Sequence, residues 1–180
     1  MPSKKRNKYV SEFGLSAYDA RVISDEINMA NFFEETVANG AEAKLASNWV
    51  TSDIVGYLKA NKLSFSDLKL SPINLAEMIN LISNNTISGK IAKEILPELI
   101  QKNISPERLV EEKGLAMISD SSSILPIVNE LITEYPNEVQ AFRNGKTKLL
   151  GFFVGQLMKR TKGKADPKLA NKLLAEKLNS

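Results

Sequence analysis

Apolar residues recur along this chain at three- and four-residue spacing, not at every second position. From Ser16 onward, Val22, Ile23, Ile27, Ala30 and Phe33 keep that interval, and Asn39-Gly40 supplies a stop. The pattern predicts one helix over 16–39. A second helix spans about 41–60, with Leu45, Trp49 and Ile54 as apolar positions and Trp49 as a core anchor. Ser71-Pro72 opens a third helix, with proline in the first turn, through Met78 and Ile82 to Asn84-Asn85. Ser88 caps a fourth that turns Ile91, Ile95 and Leu99 inward and carries Pro97 as a candidate kink.

Ser105-Pro106 repeats the start signal, and the boundary between two helical bundles is placed there. A short helix ends at Gly114. Asp120 caps the next, with Ile124, Ile127, Val128, Leu131 and Ile132 as its core stripe, and Tyr135-Pro136 begins another short one. Asn144-Gly145 turns the chain into a long apolar segment that Gly163 stops, and Asp166-Pro167 starts the last helix. The expected fold is all-α: a linker over 1–15, a helical subdomain over 16–104 and a tail subdomain over 105–180, each subdomain with about four helices. No repeat at a fixed period is present.

Composition narrows the chemistry. Hydrophobic residues make up 43% of the 180 and charged residues 25%, enough for a packed core. Histidine and cysteine are absent, which removes disulfides, thiolate nucleophiles, the usual zinc sites and every Ser-His or Cys-His pairing. Glu34-Glu35 and Glu111-Glu112 are adjacent on helices and point about 100° apart, so neither makes an acid–base pair. The four tyrosines show no evident partner. No 18-residue apolar window exists and no apolar stretch follows the basic N-terminus, so a cytosolic protein is expected, without membrane or secretory signal. Charge is uneven. Residues 141–180 hold ten Lys/Arg against two Asp/Glu, a net +8, and residues 1–140 carry −5. A basic end on an acidic body points to a polyanionic partner.

That end contains GKTKLLGFFVGQLMKRTKGKADP, residues 145–167. Placed on a helix, Leu149, Leu150, Phe153, Val154, Leu157 and Met158 form a core face. Lys148, Gly151, Gly155, Lys159 and Lys162 form one stripe opposite it. A glycine inside a helix costs about 1 kcal/mol relative to alanine, so two on one face call for a reason. One reading is close helix packing. The other is a bare backbone strip that a sugar-phosphate chain approaches, with lysines supplying charge; lysines at the ends of the stripe favour it. Lys162-Gly163-Lys164 leads into the N-terminus of the last helix, where free N–H groups suit phosphate. Gly145-Lys146-Thr147 echoes a P-loop, but Gln140 stands where the first glycine is needed and no strand precedes it.

The segments YVSEFGLSAYDARVIS (9–24), KLASNWV (44–50), ISGKIAKEI (87–95), VEEKGLAMISD (110–120) and residues 145–167 resemble the C-terminal half of the B subunits of bacterial tRNA-dependent amidotransferases, the GatB/YqeY region. The resemblance spans nearly the whole chain. It implies a three-subunit, ATP-dependent carbon–nitrogen ligase that converts Glu-tRNA(Gln) and Asp-tRNA(Asn) to Gln-tRNA(Gln) and Asn-tRNA(Asn) with glutamine as amide donor. It further implies an amidase subunit and a small third subunit as partners. ATP and magnesium are expected on a catalytic domain N-terminal to this region, so Met1 is not the natural start and this piece has no cofactor or catalytic residue of its own. Carried over, the family's tail motif falls on Gly145, Lys146, Gly151, Gly155, Lys159, Lys162, Gly163 and Lys164; with the neighbouring cations Lys148 and Arg160, the expected tRNA-contacting set is Lys146, Lys148, Gly151, Gly155, Lys159, Arg160, Lys162, Gly163 and Lys164. Three positions depart from the family pattern: Met117, Arg160 where a small residue is usual, and Asp166 where asparagine is usual. Asp166 adds negative charge beside a phosphate contact and suits a helix cap. The alternative is a helical module that docks a partner subunit.

Overall fold

In a computed structural model, which describes residues 2–180, the chain is all-α, as expected. Its helices are α1 (Pro2–Ser11), α2 (Ala17–Asp25), α3 (Ile27–Ala38), α4 (Ala43–Asn48), α5 (Val55–Ala60), α6 (Pro72–Ser83), α7 (Gly89–Lys102), α8 (Pro106–Lys113), α9 (Ser121–Glu134), α10 (Pro136–Arg143), α11 (Leu149–Arg160) and α12 (Pro167–Asn179). A π-helical segment, Trp49–Ile54, joins α4 to α5 without a break, so the expected helix over 41–60 forms with one widened stretch inside it. Among the described residues the only strand-like pairing is an isolated parallel bridge between Ile118 and Ala165.

The chain divides into two compact units. The first holds the chain through Asn84 together with Ala92–Gly114; the second holds Asn85–Ile91 and Leu115–Ser180. This differs from the expected boundary at 104/105, and hydrogen bonds give the reason. Ser105 caps α8, but its hydroxyl also donates to Glu77 of α6 at 2.7 Å, and the Glu107 N–H donates to the same carboxylate at 2.8 Å. Leu109 and Val110 are buried, and α8 packs on α6. The Ser-Pro signal marks a helix start and nothing larger. In the other direction, the Met117 N–H donates to the Thr86 carbonyl at 2.6 Å, which fastens the 85–91 segment to the second unit.

Residues 1–15 are expected as a linker, yet 2–11 form α1, packed on α2. Tyr9 is fully buried, its ring stacked with Phe13 at 5.9 Å and edge-on to Phe33 at 5.2 Å. Its hydroxyl donates to Glu34 at 2.7 Å, and Lys5 pairs with the same carboxylate at 3.1 Å. Tyr9 therefore has a partner after all. Burial first, then the carboxylate, pushes its hydroxyl well above the usual tyrosine range. Partial burial pushes the Glu34 carboxyl up, but the hydrogen bonds from Tyr9 and Lys5 outweigh it and hold the group below its ordinary value. Arg6 adds a bond to Ser24 at 3.2 Å and an ion pair with Asp25.

The expected helix over 16–39 is broken at Glu26, which is extended (φ −122°, ψ 117°). Its own carboxylate accepts the Asn28 and Met29 N–H groups and so caps α3. These breaks give the first unit more helices than the expected four. The second holds four, α9–α12, among the described residues. Its core joins Ile124, Val128 and Leu131 of α9, Val139 and Phe142 of α10, Phe153 and Leu157 of α11, and Leu173, Leu174 and Leu178 of α12.

Candidate nucleic-acid interface

The second unit presents α11 with two different sides. Phe153 and Leu157 are fully buried, and Leu149, Leu150, Val154 and Met158 pack half-buried around them, which is the expected core face. Phe152 turns from the stripe to meet Tyr135 edge-on at 5.1 Å. On the far side Gly151, Gly155, Lys159 and Lys162 are exposed. A Cβ added to Gly151 or Gly155 would meet nothing within 4 Å. Among the described residues no helix packs on the glycines, so a close-packing seam with them does not explain the pair.

Alanine at both positions is therefore sterically free and should stabilise the helix by about 1 kcal/mol per site. If the bare strip is approached by a ligand backbone, the doubly substituted chain melts at higher temperature and binds that ligand more weakly. A thermal melt beside a binding titration reads both, and a higher melting temperature with unchanged binding removes the glycines from the interface.

The lysines sit at the two ends of α11. Lys146 and Lys148 lie in the turn that precedes it, both exposed. That turn closes with the Gly145 N–H on the Phe142 carbonyl and the Lys146 N–H on Ala141, with Gly145 at φ +105°. The other end closes in the same way: the Lys162 N–H donates to Lys159 and the Gly163 N–H to Met158. Here the left-handed position is taken by a lysine, Lys162 at φ +53°, and Gly163 follows at φ +77°. Gly163 thus does not itself occupy the position where glycine usually ends a helix. A side chain held in this region is uncommon and is kept only where the surroundings enforce it.

Those surroundings are visible. The Ile118 N–H donates to the Lys164 carbonyl at 2.7 Å, and the Asp166 N–H to the Ile118 carbonyl at 2.9 Å. Thr161, 6% exposed, donates its hydroxyl to the Leu157 carbonyl and accepts the Ala165 N–H at 3.3 Å. Asp166 accepts the Lys168 N–H at 2.9 Å and caps α12, the role its side chain suits. The 162–164 loop is thus fixed before any ligand arrives.

Arg160 is separated from the other candidates. It pairs with Glu130 at 3.1 Å and with Glu134, both on α9. Its guanidinium faces acids of its own unit and neutralises them, because α11 turns that side chain toward α9 and away from the stripe. Lys146, Lys148, Lys159, Lys162 and Lys164 form no ion pair among the described residues. They leave a field of like charge that α11, which has no acidic residue, does not offset. Sequence reading misses Lys90, whose Nζ lies 3.7 Å from where a Cβ on Gly163 would sit. No local pattern announces a contact between residues so far apart. It also misses Thr161 as the fastener of the loop.

Comparison with known proteins gives a consistent result. A family model described as the GatB domain matches residues 31–178. The B subunit of the aspartyl/glutamyl-tRNA(Asn/Gln) amidotransferase of Prochlorococcus marinus strain MIT 9312 is 93% identical over 99% of this chain and 36% of its own length. That of strain AS9601 is 89% identical over the whole chain and 37% of its own length. The B subunit of the glutamyl-tRNA(Gln) amidotransferase of the Paulinella chromatophora chromatophore is 60% identical over the whole chain and 36% of its length. The chain therefore spans a little over a third of the curated relatives it matches.

Proposed function

Because this chain belongs to the GatB domain family, we propose that it is the helical and tail region of the B subunit of a tRNA-dependent amidotransferase, and that its second unit holds tRNA. The observation that carries the RNA reading is the exposed α11 stripe: two glycines with open space above them, flanked at both ends by unpaired lysines. Lys146, Lys148, Lys159, Lys162 and Lys164 contact backbone phosphates, and Gly151 and Gly155 let the chain approach. Lysine is a point charge without a fork, so such contacts position RNA and carry little base information. Recognition then rests on the shape of a folded RNA.

In this reading the region does not perform the ligation. ATP and magnesium belong, on this proposal, to the portion of the subunit outside this region. The amidase subunit and the small third subunit are the proposed protein partners. The first unit, on which a docking role would rest, has an open pocket of ≈ 260 Å³ lined by Met29, Val55, Leu58, Leu63 and Phe65 together with Glu26, Asn28, Lys59 and Ser64.

Titration of the chain with tRNA at several salt concentrations tests the RNA reading. Five phosphate contacts give a log–log slope of about −3.5 to −4.5. Binding that ignores salt, or no binding at all, overturns it.

A further inference from the structure

We propose that Lys90 joins Lys162 and Lys164 in a phosphate-binding cradle over Gly163, and that the cradle takes a phosphodiester group of a bound RNA; this rests on the RNA reading above. The cradle shares Lys162 with the α11 stripe but is not a continuation of it. The stripe is a helix face made by consecutive turns of one segment. The cradle draws on two stretches far apart in sequence, joined only by the fold of the second unit.

Three observations converge. The Lys90 stem lies along the backbone of Gly163, which is buried, its Nζ 3.7 Å and its Cδ 3.9 Å from the position of an added Cβ. The two lysines that flank Gly163 are on a loop already fixed by the Ile118 bonds and by Thr161. The backbone that carries Lys162 and Lys164 is thus held beside Lys90. None of the three has an ion-pair partner among the described residues, whereas Lys93, one turn along α7, reaches Asp53 at 3.9 Å. The one carboxylate of the loop, Asp166, faces the Lys168 N–H.

Lys90 also stands in the first turn of α7, which contains no acid. A helix N-terminus is already positive, and a cation there is disfavoured unless an anion answers it. The N-terminus of α12 is not part of the cradle, since Asp166 occupies it. A free phosphate ion gains little from solvated ammonium groups of which Lys90 and Lys162 are exposed. A polyanion gains the release of its condensed counterions at each neutralised phosphate, which selects a nucleic-acid backbone as occupant.

The test uses the whole chain and tRNA, with affinity followed against salt for Lys90→Gln, Lys90→Arg and Lys93→Gln. Loss of one phosphate contact lowers the magnitude of the log–log slope by about 0.7 to 0.9 and weakens binding about four- to fivefold at ~0.15 M salt. Lys90→Gln should show that change, Lys90→Arg should restore the slope, and Lys93→Gln should leave it as in the parent chain. If the parent chain binds tRNA with a steep slope that Lys90→Gln does not alter, the cradle is wrong and the RNA reading stands. If Lys90→Arg fails in the same way as Lys90→Gln, Lys90 acts by packing over Gly163 and not by charge, which also overturns the cradle. If the parent chain does not bind tRNA, the underlying reading falls first.

Discussion

Glutamate at both Lys159 and Lys162 should weaken tRNA binding at least about twentyfold at ~0.15 M salt, and should flatten its salt dependence. Each lost phosphate contact removes roughly a four- to fivefold factor at that salt, and the two carboxylates add repulsion beyond the lost contacts. The two positions suit the experiment because neither supports the fold. Both side chains are exposed and neither has an ion-pair partner among the described residues. Lys162 keeps its left-handed backbone whichever of the two side chains it carries, so the substitution changes charge with little change in strain. Equilibrium titration at two or more salt concentrations decides the matter. An unchanged affinity would remove the stripe from the interface, since no rearrangement of the core accompanies the change.

Phe153→Ala should cost the second unit about 3–5 kcal/mol. The ring is fully buried and lies 5.4 Å from Phe152 and 6.4 Å from Tyr135, both edge-on. It fills the middle of the α9–α12 core, where truncation leaves a void that four short helices have little means to close. Amide hydrogen exchange across α9–α12 reads the effect directly, and protection of the slowest amides should fall by roughly 10²–10⁴-fold. Unchanged protection would mean that the ring does not organise this core. Trp49 is the only tryptophan and lies in the first unit, so its fluorescence is the wrong probe for this variant.

The helical character and the two-sided nature of α11 are legible in sequence because both are local. A 3.6-residue period assigns Phe153 and Leu157 to one face and Gly151, Gly155 and Lys159 to the other without any knowledge of the partners. Caps are legible for the same reason, as at Ser71, Ser105, Asp120 and Asp166. What the residues conceal is tertiary. The basic run Lys4-Lys5-Arg6-Lys8 falls in the segment read as a linker, and only the fold shows Lys5 and Arg6 answered by Glu34 and Asp25. Glu26 sits in an unbroken apolar rhythm, and its extended backbone follows from its side chain capping α3. Arg160 continues a run of cations in sequence, but the rotation of one residue along the helix delivers it to Glu130 and Glu134. Lys90 over Gly163 has no local signal of any kind.

The split membership of the chain bears on how it folds as it leaves the ribosome. Residues 85–91 belong with the second unit but are made before 92–114, which complete the first. Thr86 has no Met117 to receive until the whole of α8 has been synthesised. Ile87, fully buried in the finished protein, is therefore exposed during that interval. Vectorial synthesis would ordinarily let an N-terminal unit close before the next one begins. Here the nascent chain carries a piece of the later unit through the closing of the earlier one, so neither the order of synthesis nor a single proteolytic cut separates the two.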